Sequence, residues 1–193
     1  MKTLIVVTLL FSSIAIHSQN IIEWNENYRL QLTDFQSPQT EIGNVDIISL
    51  YNSASIDFSF QMTNGEFIFT KNFNSKVDCS FRRSAAFILA PDSSSANDLL
   101  EFARYEFDLT ELYARKFRKQ LFEKKGAFSN LSFFQPLYDD NQREYADRHA
   151  KASKETELGK NKATMQQLDG AVRKEIEELQ DFCKTCKPVK KKK

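Results

Sequence analysis

The stretch LLEFARYEFDLTELYARKFRK, residues 99–119, decides the fold of this chain of 193 residues. In this stretch and the helical turn after it, apolar side chains recur at three-, four- and seven-residue steps. They are Leu100, Ala103, Phe107, Ala114, Phe117 and Leu121. This spacing predicts one apolar stripe along a long helix, and such a stripe must pack against a core. No Gly or Pro interrupts residues 95–125, so we expect a helix capped near Ser95 and stopped at Gly126. Oppositely charged pairs at i,i+4, Arg104 with Asp108 and Glu111 with Arg115, are expected to support its outer face.

The half of the chain before this helix is strand-like. Residues 55–62 alternate polar and apolar side chains, which is the period of a half-buried strand. Asn64-Gly65 follows at once, and residues 66–73 are again rich in β-formers, so we expect a hairpin here. Further extended segments are expected at residues 45–51, 76–81 and 85–89.

The half of the chain that follows the long helix is expected to be helical. Residues 128–138 form an aromatic stretch that contains Pro136, and we interpret it as a loop. Residues 139–154 and 163–183 are helix candidates, the second with apolar side chains at helical spacing. The predicted fold class is α+β: a small antiparallel or mixed sheet from the N-terminal half packs on the long central helix, with further C-terminal helices as cover.

The first residues predict export. Lys2 precedes an apolar run over residues 4–11 that is too short for a membrane span and ends in small and polar residues. We interpret residues 1–18 as a cleaved signal peptide, residues 19–183 as a single domain and residues 184–193 as a disordered basic tail. The expected location is periplasmic or secreted, and no later segment is long and apolar enough to be a transmembrane segment.

Charge restricts the partners of the mature chain. The sequence has 27 Lys+Arg against 26 Asp+Glu, which argues against broad electrostatic binding to nucleic acid or anionic lipid. We therefore expect no nucleic-acid partner, and the partner is an unknown protein or cell-envelope component. Five lysines among the last seven residues fit a solubilising tail, with contact to anionic lipid as the alternative.

Cysteine and histidine are scarce. In an oxidising compartment we expect a local disulfide between Cys183 and Cys186, or a bond from Cys79 to one of that pair. Of the two histidines, His17 lies in the predicted signal peptide, and His149 lies in a charged stretch where a solvated surface side chain is expected. One histidine cannot supply a zinc site that needs two or three, so no metal or other cofactor is expected.

The long helix also carries a resemblance. Residues 99–119 resemble the helix LLxHEQGHFDIAExYARKxRK of a bacterial family of exported domains regarded as zinc-dependent proteases. Ile22 and Trp24, followed by Arg29, resemble the family's opening IxWxxxRxLxWxDF. Residues 155–159, ETELG, are similar to the family's ETxHG segment, so the resemblance covers most of the mature chain in order.

The resemblance implies a helix that once held zinc, but this chain departs from it at each reactive position. HExxH places two imidazoles one helical turn apart on a single zinc, with the Glu as general base. Here the two His positions hold Phe102 and Glu106, the Glu position holds Ala103, and the position of a third ligand holds Leu158. If the resemblance holds, these four side chains should converge. Phe, Ala and Leu offer zinc no lone pair, so the resemblance implies the fold and the export route without the catalysis.

Two functions stay open at this point. The first is a non-catalytic scaffold or binding protein whose ancestral site has been filled in. The alternative is a hydrolase that uses the helix carboxylates Glu106, Asp108 and Glu111, because a carboxylate can serve as a general base. A metal held by Glu106 with Asp139 or Asp140 has no support from spacing.

Overall fold

A computed structural model describes residues 20–58, 63–126, 129 and 132–188 of the chain. The predicted signal peptide and residues 189–193 of the predicted tail lie outside these described residues. Two small sheets from the N-terminal half pack against long helices, which confirms the predicted α+β class. In the part of the chain that the structure describes, no helix is long and apolar enough to cross a membrane.

The first sheet is antiparallel and the second is mixed. Strands β1 (Ile21–Glu23), β5 (Val77–Arg82) and β4 (Ala54–Phe58) form the first sheet, with β5 in the centre. In the second sheet, β6 (Phe87–Ala90) lies between β2 (Glu41–Ile42), which runs parallel to it, and β3 (Ser49–Tyr51), which runs antiparallel. Four of the five extended segments predicted from the sequence, residues 45–51, 55–62, 76–81 and 85–89, therefore contain a strand.

The long helix α2 (Ser93–Lys124) lies at the centre of the molecule. It contacts strands of both sheets on one side and the helices α3 (Phe134–Thr156) and α4 (Lys162–Glu178) on the other. The apolar stripe predicted from the sequence is buried along its whole length, at Leu100, Ala103, Phe107, Ala114, Phe117 and Leu121. A helix covered on all sides explains why many of its polar side chains are buried as well.

The start of α2 and one of its two predicted ion pairs differ from expectation. Asp92, not Ser95, is the capping residue: its carboxylate accepts a hydrogen bond of 2.7 Å from the backbone N–H of Ser95. Arg104 does not bond Asp108, but donates to Glu101 and to the carbonyl of Leu30.

The predicted hairpin is wrong beyond its first strand. Strand β4 is present, but it pairs with β5, and residues 64–69 form a short helix α1 (Asn64–Phe69) in place of a turn and return strand. Thr63 and Glu66 cap this helix reciprocally: the Thr63 hydroxyl accepts from the Glu66 N–H, and the Glu66 carboxylate accepts from the Thr63 N–H at 2.7 Å. A capping box satisfies backbone donors locally and so favours a helix over the turn that Asn-Gly indicates. Residues 59–62 lie outside the described residues.

The aromatic stretch is also more helical than expected. Helix α3 begins at Phe134, so the predicted loop is wrong over residues 134–138. Pro136 lies in the first turn of α3, where its missing N–H costs no hydrogen bond. The last predicted helix ends at Glu178 and is followed by a short 3-10 helix, Gln180–Phe182.

The turn between α3 and α4 is tightly packed. Glu157, Leu158 and Gly159 all have positive φ, at 49°, 56° and 94°. A Cβ on Gly159 would lie 2.1 Å from the backbone oxygen of Asp98 on α2. Only glycine, which lacks a side chain, can bring the turn this close to the helix.

We therefore predict opposite effects for two glycine substitutions. Gly159→Ala should lower the free energy of unfolding by at least about 2 kcal/mol, because it combines a positive φ with a collision against backbone. Gly170→Ala, at an open position inside α4, should raise it by about 0.5–1 kcal/mol. Urea unfolding followed by circular dichroism measures both, and a shift of the same sign in the two variants would contradict the packing of the turn.

Candidate functional site

Three of the four positions that the resemblance aligns with reactive residues lie on α2, towards its N-terminal half. Phe102 is 1% exposed and Ala103 is fully buried. The carbonyl of Ala103 accepts a hydrogen bond of 2.9 Å from the side-chain amide of Asn52. Glu106 lies one turn after Phe102 on the same face, and its side chain is 13% exposed. The space that an imidazole would need at residue 102 is thus filled by a buried phenyl ring.

The fourth position, Leu158, lies in the turn that packs on α2. The neighbouring Gly159 meets the backbone of Asp98, which is one helical turn before Phe102. Lys162, at the start of α4, forms an ion pair with the Asp98 carboxylate, which is a second contact between this part of the chain and α2. Leu158 itself is half-buried against the core. The structure therefore brings the ETELG turn to the N-terminal part of α2, with Asp98 as its direct contact.

The partner of Glu106 is His149, whose side chain is 33% exposed, so the expected surface histidine is half-buried and paired. The imidazole Nε2 of His149 lies 3.2 Å from Oε1 of Glu106. Its ring is 5.7 Å from that of Phe102 and stacks on Tyr145 at 6.0 Å. The charged neighbours of His149 in the sequence favour a side chain that faces solvent. Its i,i+4 spacing from Tyr145, however, indicates that both rings lie on one face of α3 and face α2.

Burial and charge set the protonation of this group. The hydrogen bond to Glu106 raises the pKa of His149, against the opposing effect of burial. Burial raises the pKa of Tyr145 far above its ordinary value, and the negative charge of Glu106 adds to that rise. The Tyr145 hydroxyl lies 3.5 Å from the hydroxyl of Thr110. The hydrogen bond to Glu106 therefore favours the charged form of His149, whose ring lies beside those of Phe102 and Tyr145.

Asp108 is one of the carboxylates of the hydrolase alternative, and hydrogen-bond donors from other parts of the chain bind its oxygens. It accepts hydrogen bonds from the indole of Trp24 at 2.8 Å, from Arg29 at 3.0 Å and from Arg173 at 3.0 Å. Burial raises the pKa of Asp108, while Trp24 and Arg29 oppose the rise. These contacts tie the N-terminal segment and α4 to α2.

Glu111 is paired with two buried arginines. Its side chain lies within 2.9 Å of both Arg115 and Arg118, and all three residues are buried. A cavity of about 430 Å³ borders this cluster, but the carboxylate within it is already paired with two guanidinium groups. The predicted pair of Glu111 and Arg115 is thus present, although it lies in the interior and not on an outer face.

The structure pairs Cys183 with Cys186 in a disulfide and leaves Cys79 as a buried free thiol. Burial raises the pKa of the Cys79 thiol well above its ordinary value, which keeps it protonated and unreactive. The first residues of the predicted tail are held against the fold: Lys184 forms ion pairs with Glu23 at 2.9 Å and Asp78 at 2.8 Å. The predicted start of the disordered tail at residue 184 is therefore too early in the chain.

The acidic side chains considered for a metal do not come together. Asp139 accepts from Gln135 and Asp140 pairs with Arg143, while Glu106 faces His149. Over residues 20–58, 63–126, 129 and 132–188, no group of three or more His, Cys, Asp or Glu side chains is placed to hold a metal ion. One imidazole and one carboxylate fall short of the three protein ligands of a catalytic zinc.

The Glu106–His149 pair makes a pH-dependent prediction. Because the folded pKa of His149 is raised, the pair's stabilisation is complete below the unfolded pKa of about 6.5 and is lost as pH rises through the folded value. Glu106→Gln should therefore lower the free energy of unfolding more at pH 5.5 than at pH 8. It should also return the pKa of His149, the single histidine after residue 17, towards its ordinary value in an NMR titration.

The matched control is Asp147→Asn, which removes an exposed carboxylate from the same helix α3. It should leave both the stability profile and the His149 titration close to those of the parent protein. An unchanged His149 pKa in Glu106→Gln would show that the two side chains do not interact in solution.

Comparisons with known proteins find nothing similar: no protein-family model matches the chain, and neither a curated protein nor a solved structure matches it.

Proposed function

We propose that this protein is an exported, non-catalytic scaffold or binding protein with a zinc-protease-like helix whose reactive positions have been filled in. The contact that carries the proposal is the one between Glu106 and His149, 3.2 Å apart beside the buried Phe102 ring. Aromatic packing and a single ion pair occupy the place where the resemblance implies a metal and its water. This arrangement stabilises the interface of α2 and α3.

The carboxylates of α2 support a structural role over hydrolysis. A general base needs a lone pair directed at a substrate or a water. Asp108 is bonded to Trp24 and to two arginines, and Glu111 is bonded to Arg115 and Arg118. Glu106 is paired with His149, so the alternative of a hydrolase using Glu106, Asp108 and Glu111 gains no support from these contacts.

Export is supported by two independent features. The apolar run over residues 4–11, after Lys2, has the pattern of a secretory signal. The disulfide between Cys183 and Cys186 is of the kind that persists in an oxidising compartment. A periplasmic or secreted location fits both.

The proposal predicts that the purified mature protein carries no stoichiometric zinc and cleaves no casein. Elemental analysis after dialysis against zinc measures the first property, and release of labelled casein peptides measures the second. Chelator-sensitive proteolysis with one bound zinc per chain would overturn the proposal.

The carboxylate alternative is tested with matched variants. Glu106→Gln and Asp108→Asn each remove one negative charge with little change in shape, and Asp147→Asn is the control on an exposed position of α3. Screened against general ester and peptide substrates, all three should equal the parent protein in having no activity above background. An activity that disappears in Glu106→Gln or Asp108→Asn, but not in Asp147→Asn, would establish the alternative.

A further inference from the structure

A loop closed by a disulfide borders the ionic interior of the molecule. The bond between Cys183 and Cys186 closes residues 183–186 into a ring, which we call the disulfide loop. Residues 183–185 line the cavity of about 430 Å³ that borders the Glu111 cluster, and Cys79 belongs to the same lining. Cys79 is 4% exposed, whereas both cysteines of the loop are half-buried. The loop therefore forms an outer wall of a cavity whose inner wall carries a free thiol.

Lys184, inside the disulfide loop, connects the loop to two strands beside the cavity. Its ammonium lies 2.9 Å from the carboxylate of Glu23, in β1, and 2.8 Å from that of Asp78, in β5. Asp78 directly precedes Cys79 in the chain. All three charged side chains are partly exposed, and surface ion pairs stabilise little when long side chains must first be ordered. The ring reduces that cost because it restrains the backbone of Lys184.

The end of the disulfide loop is held by hydrogen bonds. The carbonyl of Cys186 accepts two of them, each 3.0 Å long, from the side-chain amides of Asn72 and Asn74. Asn74 is fully buried, and its amide also donates at 3.2 Å to the carbonyl of Asp181, which precedes the loop. Contacts before, inside and at the end of the loop therefore favour its closed position.

The small size of the ring makes its effect local. Two residues separate the cysteines, and the entropy that a disulfide removes from the unfolded chain decreases with the length of the closed segment. A ring of this size restrains the loop itself more than it restrains the unfolded chain as a whole. Breaking the bond should therefore loosen residues 183–186 while the sheets and helices stay folded.

We propose that the disulfide loop is a redox-controlled latch over Cys79, and that a dithiol opens it. A thiolate of the dithiol attacks one sulfur of the half-buried bond, and the second thiol of the dithiol then displaces that sulfur. Cys183 and Cys186 each gain one electron and one proton, and the dithiol becomes a disulfide. Without the ring, Lys184 and the carbonyl of Cys186 lose the restraint that supports their contacts, and solvent reaches the cavity.

The buried thiol gives the latch a chemical consequence. Burial is the largest cause of the raised pKa of Cys79, while the charges of Glu111 and Arg118 act on it in opposite directions. Water that enters the cavity removes this largest cause, and the thiol regains its ordinary reactivity. Cys79 is thus unreactive in the closed form and reactive in the open form. This inference is independent of whether the protein is catalytic.

The test measures how fast N-ethylmaleimide labels Cys79 in the mature full-length chain, with the labelled peptide quantified by mass spectrometry. The oxidised parent protein should label slowly, because Cys79 is buried. The double variant Cys183→Ser, Cys186→Ser cannot form the ring and should label at least about tenfold faster. The parent should label as fast after treatment with dithiothreitol, which is a dithiol, and slowly again after reoxidation.

Urea distinguishes opening of the loop from unfolding of the whole chain. Opening of a short loop exposes little surface, so the fast labelling should hardly change with urea well below the unfolding midpoint measured by circular dichroism. Fast labelling that rises steeply with urea from the lowest concentrations would show that the disulfide supports the whole fold, and it would overturn the inference.

Two single variants that keep the disulfide test the contacts of the loop. Lys184→Gln should speed the labelling of Cys79 about two- to threefold, which is the size of effect of a surface ion pair. Lys187→Gln is the matched control: it removes the same charge from an exposed position just after the loop and should label as the parent does.

Two further results would contradict the latch. One is an equal labelling rate in the oxidised parent and the double serine variant, because the loop would then not cover Cys79. The other is a disulfide that dithiothreitol leaves intact in the folded protein. Neither result bears on zinc or on casein cleavage, so this inference and the proposed function can fail separately.

Discussion

Two buried guanidinium groups on one helix hold the molecule together. Arg118 is 1% exposed, and besides Glu111 it donates to the carbonyl of Val77 at 2.8 Å and to that of Phe182 at 3.1 Å. Arg115 donates to the carbonyl of Ile176 at 2.9 Å. Removing such charges from water costs several kcal/mol per ion unless every donor finds a partner. The positions of β5, the end of α4 and the last 3-10 helix therefore depend on this cluster.

The main elements of the fold can be predicted from the sequence, because they follow from the local periodicity of apolar residues. The apolar stripe of α2 is buried at each predicted position, and four of the five predicted extended segments contain a strand. The failure at residues 64–69 has a physical cause. Asn64-Gly65 favours a turn, but the reciprocal bonds between Thr63 and Glu66 satisfy the backbone donors of a helix at the same place.

The candidate site was only partly predictable, since its partners come from distant parts of the chain. The family resemblance singles out Phe102, Ala103 and Glu106, none of which is a histidine. It does not show that His149, forty-three residues later, meets Glu106. A charged neighbourhood indicates a solvated helix face, and only the packing of α3 on α2 turns one side of that face inward. The disulfide partner was likewise one of two open choices, because spacing does not fix three-dimensional proximity.

The two kinds of residue on α2 occupy different parts of the helix, and this separation bears on which positions tolerate substitution. Asp108 and the cluster around Glu111 bind β5, α4 and the N-terminal segment. Phe102 and Glu106 lie earlier and contact α3 through His149. Substitutions at these earlier positions leave the buried ionic cluster intact. A helix of this design can therefore change its residues at positions 102 and 106 and keep its fold, whereas loss of Glu111 would leave two buried guanidinium groups without their shared carboxylate.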